Sequence, residues 1–156
     1  MRRLFALLSA LLLTSFVPKE KEYYFLSVTT TNHANSAVWG STIYQVRDGH
    51  IIVTKSIAPE AQDLLLLFKP IRPVAVKKLQ KINIYGLDTV YVNKCTPSKK
   101  GRDFMISLEE AKTDKDIRLH DYYNPRIAQL IAELNNNVPG KLKIKYTPAD
   151  FKQDCN

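Results

Sequence analysis

The chain has 156 residues, of which 45% are hydrophobic and 24% charged, with a formal net charge of +8. That hydrophobic content can supply the core of one domain. The excess of Lys and Arg favours acidic partners and says nothing about fold. Five glycines leave little room for a glycine-rich phosphate cradle, and two cysteines are too few for a cysteine-built zinc site.

The N-terminus has three parts. Arg2 and Arg3 are followed by an apolar stretch over residues 4–16, which ends abruptly at Pro18, Lys19, Glu20 and Lys21. This is the layout of a secretory signal, and it falls short of the roughly 20 apolar residues of a membrane span. Residues 1–16 are therefore expected to be a signal peptide and residues 17–156 a single domain. A cut after Ser15 puts one small residue before the cleavage point, though Leu13 is a poor fit two positions earlier. The expected location is periplasmic or extracellular, with an N-terminal anchor as the alternative if the signal is retained. No transmembrane span is expected in the mature chain.

Residues 23–31 are aromatic and β-branched and read as a strand. Residues 32–36 have turn composition, and 37–47 read as a second strand. Asp48-Gly49 is a two-residue hairpin signal leading into a third strand at 50–57. Ala58-Pro59-Glu60 resembles a helix start, followed by Leu64, Leu65, Leu66, Leu67 and Phe68 as a short apolar helix ended by Pro70 and Pro73. Residues 74–81 fit either a short helix or an extended segment. Residues 82–93 read as strand with a bend at Gly86-Leu87-Asp88.

Residues 103–109 and 116–122 alternate apolar and polar side chains and form a second hairpin. Asn124 is an N-cap and Pro125 a first-turn residue for a helix over 125–136. Its apolar stripe is Ile127, Leu130, Ile131 and Leu134. Residues 141–146 alternate again, with Lys141, Lys143 and Lys145 on one face. The expected fold is α+β. It has an antiparallel sheet of about six to seven strands in hairpins, a C-terminal amphipathic helix on one face and a shorter apolar helix mid-chain.

Three constellations bear on function. His33, His50 and His120 do not form a metal triad, because His33 and His50 sit at opposite ends of a strand about 36 Å long. His120 is the one weak catalytic candidate. It shares a strand face with Arg118 and, across the hairpin, with Ser107 or Glu109, while its neighbour Asp121 points the other way. Between Lys69 and Arg102 lie nine basic residues and one acid, Asp88. Lys77, Lys78, Lys81, Lys99, Lys100, Arg102, Lys141, Lys143 and Lys145 are the candidate binding residues. The bland alternative is a solvated lysine face that protects a strand edge.

Cys95 and Cys155 are expected to pair in an oxidising compartment. The bond would close a loop of about 60 residues, worth roughly 4 kcal/mol. The leading expectation is thus an exported, non-enzymatic domain that binds an anionic glycan, an anionic lipid surface or an acidic protein, and uses no cofactor or metal. Nucleic acid is not an expected partner, and the sequence does not fix an oligomeric state. One alternative is a small hydrolase-like enzyme centred on His120. The other is a structural or inhibitory protein acting through the 64–68 apolar segment.

Overall fold

Alternation of apolar and polar residues builds most of this molecule. The structure, a computed structural model, describes residues 23–33, 40–57, 62–97, 100–111 and 113–151. The signal segment, Trp39, the start of the second expected strand, the helix start at 58–60, Lys99 and Cys155 lie outside the described residues.

Seven strands form one sheet: β1 (Tyr24–Asn32), β2 (Gly40–Arg47), β3 (His50–Ile57), β4 (Gln62–Pro70), β5 (Val90–Val92), β6 (Arg102–Glu110) and β7 (Thr113–His120). Their order is β4-β3-β2-β1-β6-β7-β5. At the β2–β3 turn Asp48 and Gly49 both take positive φ, 49° and 72°, as a type I′ hairpin requires. Two helices follow the same logic, α1 (Pro73–Gln80) and α2 (Pro125–Asn135).

In β1, β2, β3, β6 and β7 alternate residues face one buried cluster. Leu26 and Val28, Tyr44 and Val46, Ile51 and Val53, Phe104 and Ile106, and Ile117 and Leu119 all belong to it. Ala75 and Leu79 of α1 and the whole apolar stripe of α2 join the same cluster. Both helices therefore cover one sheet face. The opposite face carries Thr29, Thr31, Asp103, Met105, Arg118 and His120. It bears no helix among the described residues. None of these helices is long and apolar enough to cross a membrane.

Four expectations need correction. The sheet is mixed, because β5 runs parallel to β7. The 64–68 segment is not a helix but the middle of β4, and the mid-chain helix is α1, just beyond it. Hydrogen bonding to β3 across the whole of β4 outweighs the ambiguous local pattern. Residues 82–93 are mostly bends, with only Val90–Val92 in the ladder. Residues 141–146 are not a strand but pass through a 3-10 turn at Gly140–Leu142. Ile144 and Tyr146 are still buried. The amide side chain of Asn135 takes the place of a partner strand there. It accepts from Ile144 N (2.8 Å) and donates to Ile144 O (2.9 Å).

The N-terminus of α2 is capped as the sequence indicates. Asn124 Oδ1 accepts from Arg126 N at 2.9 Å and Ile127 N at 3.2 Å, in a buried setting. Replacing Asn124 with Ala should cost about 1–2 kcal/mol in denaturant unfolding, whereas Asn124→Asp should retain most of the stability. Equal losses in the two variants would show that the cap contributes little.

Candidate functional site

The strand register decides what His120 meets. β6 and β7 pair antiparallel with Asp103 directly opposite His120. β1 lies on the other side of β6 and pairs Asn32 with Arg102. His33, the next residue, is held there by its backbone N–H, which donates to Gly101 O at 3.0 Å. The Asp103 carboxylate thus stands between two imidazoles. His33 Nε2 lies 2.7 Å from Oδ2 and His120 Nδ1 lies 2.5 Å from Oδ1.

A carboxylate accepts and cannot donate, so both facing ring nitrogens carry protons. For His120 this fixes Nδ1–H and leaves Nε2 as the free ring position. Nε2 is inaccessible to solvent and has no hydrogen-bond partner among the described residues. The expected partners Ser107 and Glu109 instead face Asp116 and Asp114. Asp121 turns away, at a positive φ of 46°, and accepts from Thr96 Oγ1 at 2.6 Å. Gly101 passes so close to that pair that a Cβ would lie 2.9 Å from both side chains.

His120 and Asp103 line a hollow of about 400 Å³ on the open sheet face. Thr29, Thr31 and Arg118 add polar groups, and Val90, Val92 and Met105 form an exposed apolar rim. The third histidine, His50, is elsewhere, stacked on Phe68 with ring centroids 4.7 Å apart. Among the described residues no group of three or more His, Cys, Asp or Glu is arranged to hold a metal ion.

The basic residues divide between separate elements. Lys77 and Lys78 lie in the last turn of α1, and Lys81 is its C-cap. Arg102, Lys143 and Lys145 line a smaller hollow of about 190 Å³. Lys141 is in the 3-10 turn, and Lys100 lies in the turn before β6. Arg102 is already committed: it donates to Lys145 O (3.1 Å) and Asp150 O (3.0 Å) and sits 4.7 Å over the Phe151 ring.

Cys95 lies in the turn after β5, where its backbone N–H donates to Asn93 Oδ1 at 2.9 Å. That turn adjoins Gly101 through Thr96, and Phe151 adjoins the next residue, Arg102.

The 64–68 segment is the feature that sequence reasoning placed wrongly and that the fold makes prominent. β4 is an edge strand of nine residues. Leu64, Leu65 and Phe68 are 56%, 58% and 59% exposed, so they are not core. The register slips between Val53 and Thr54, leaving Leu66 as an extra residue. Such a bulge turns part of the strand and exposes side chains that strict alternation would bury. No family model matches this chain, and no match was found among curated proteins.

Proposed function

We propose that this chain is an exported, non-enzymatic interaction protein that takes up an extended apolar segment of a partner protein along β4. The observation that carries this reading is the long edge strand with three exposed large apolar side chains. A free edge offers a row of backbone N–H and C=O groups to an added strand, and natural proteins normally shield such edges. Lys69 in β4, Lys55 in β3 and Arg72 just beyond β4 outnumber the single acid of that strand, Asp63. The fitting partner is therefore apolar with acidic flanks. Export rests on residues 1–16, and it makes a Cys95–Cys155 bond a natural companion.

The test uses the purified protein and a synthetic peptide with a valine- and threonine-rich core flanked by glutamates. Bound peptide should protect outward-facing β4 amides from hydrogen exchange. Leu65→Glu should abolish that protection while changing stability by no more than about 0.5 kcal/mol. Unchanged exchange in β4, or equal binding by the variant, would overturn the reading. Concentration-dependent dimerisation through the same strand would also overturn it, by naming a second copy as the occupant.

The hydrolase-like reading also has one supporting observation, the placement of His120 in a hollow beside a carboxylate. The same hollow supports a binding role more directly.

A further inference from the structure

We infer that the hollow between the ends of β1 and β2 and the C-terminal segment is a subsite for one tetrahedral oxyanion, a sulfate or phosphate monoester. It lies over β2, β1 and β6 rather than at the β4 edge, so it is independent of the partner-strand reading.

Hydroxyls form the floor. Thr30 of β1 and Thr42 of β2 are directly paired and both line the hollow. By alternation they share the helix-covered face with Val28 and Tyr44. Those two are buried, whereas Thr30 and Thr42, one step further along, are partly open, so the cover ends above them. Thr30 Oγ1 is only loosely held, 3.5 Å from Thr42 O, and can turn toward a better acceptor.

The rim is cationic. The Tyr44 hydroxyl donates to Leu142 O at 2.9 Å and anchors the segment that carries Lys143 and Lys145. Ile144 between them is buried, so both lysines leave the core on the same side, about 6–7 Å apart. Both line the hollow and are exposed, and neither forms an ion pair among the described residues. Their long stems let the ammonium groups close over its mouth. An anion between them relieves their mutual repulsion.

Arg102 has a positioning role. It holds the segment through Lys145 O at 3.1 Å, and its charge is shared with Asp150 at 3.5 Å. Among the described residues no acid lines the hollow, since Asp103 is on the opposite face between His33 and His120. Donors thus come from the floor and from the rim. A carboxylate has two oxygens in one plane, whereas a tetrahedral oxyanion has oxygens for both sets. A hollow of about 190 Å³ is smaller than the roughly 300–1,000 Å³ of pockets that enclose a whole ligand, and suits a single charged group.

The experiment is an NMR titration of the intact protein with sulfate, inorganic phosphate, glucose 6-phosphate and acetate, at constant ionic strength because exposed charges are screened. The first three should give saturable shifts confined to the Thr30 and Thr42 region and residues 141–146. Acetate should bind about tenfold more weakly. Lys143→Gln combined with Lys145→Gln should lose at least about tenfold. Lys77→Gln combined with Lys78→Gln removes the same charge from α1 and should leave binding unchanged. Tighter binding of glucose 6-phosphate than of phosphate would assign the group to a sugar, and equal binding to a free oxyanion; either sustains the site. The proposal is overturned by absence of saturable shifts at about 10 mM probe, where even a millimolar site would be mostly filled. Shifts located elsewhere, acetate binding as tightly as sulfate, or equal losses in the two double variants would overturn it too. If the Lys143/Lys145 variant does not fold, the anion series on the unaltered protein decides alone.

Discussion

Above about pH 10 the protein should lose stability by at least roughly 2.7 kcal/mol per pH unit, chiefly through two buried tyrosines, with burial of a third, Tyr44, adding to the loss. Burial pushes the Tyr24 phenol well above its ordinary value, and the nearby Glu110 charge adds to the effect. Burial does the same for Tyr146, against a smaller opposing contribution from the Asn124 backbone N–H. In both, the folded state holds its proton more tightly than the unfolded chain. Their contribution is complete below the unfolded value near 10 and is lost as pH rises toward the folded one. Each contributes about 1.4 kcal/mol per unit over that window. Urea unfolding between pH 8 and 12 measures the slope directly. A flat profile above pH 10 would show that these hydroxyls ionise without unfolding the protein.

The two phenols differ in a way that separates burial from bonding. Tyr146 Oη accepts from Asn124 N and donates to Tyr122 O, each at 3.0 Å. Tyr146→Phe would leave a buried N–H and a carbonyl unsatisfied beside the α2 cap, a cost of about 1–3 kcal/mol at neutral pH. Tyr24 Oη has no partner among the described residues. Tyr24→Phe should therefore be neutral or slightly stabilising at pH 7 and should reduce the alkaline slope by about 1.4 kcal/mol per pH unit. An unchanged slope in that variant would assign the alkaline loss to other groups.

How much of this was legible in the sequence depends on the range of the deciding interaction. Asp48-Gly49 and the Asn124-Pro125 helix start were readable because the turn and the cap are set by the residues themselves. The stripe of α2 was readable because its period repeats over two turns. The 64–68 run was not, since five consecutive apolar residues carry neither a helix nor a strand period, and only pairing with β3 assigns it. The parallel pairing of β5 with β7 is equally long-range. For residues 141–146 the alternation correctly indicated burial, but Asn135 rather than a neighbouring strand satisfies the Ile144 backbone.

The His33–Asp103–His120 arrangement was missed for the same reason. One signal was present: Asp103 and His120 are equally far in sequence from the midpoint between β6 and β7, which puts them opposite each other in the simplest register. His33 needed the further pairing of β1 with β6, some seventy residues away.

Truncating Leu134 to Ala should lower stability by about 3 kcal/mol. Leu134 is fully buried, and its side chain completes the stripe begun by Ile127, Leu130 and Ile131. The lost methyl groups forfeit their burial, and the sheet beneath cannot collapse to fill the space. The next residue, Asn135, clamps Ile144, and Ile144 leads into the aromatic group of Tyr146, Phe104 and Phe151. A loosened last turn of α2 thus weakens the attachment of the C-terminal segment as well. For a chain of this length the loss corresponds to a fall in melting temperature of roughly 10 °C. Gln129→Ala, on the exposed side of the same helix, should shift stability by no more than about 0.5 kcal/mol. If thermal melts placed the two variants within 2–3 °C of each other, roughly 1 kcal/mol, α2 would be a peripheral element rather than the cover of the sheet.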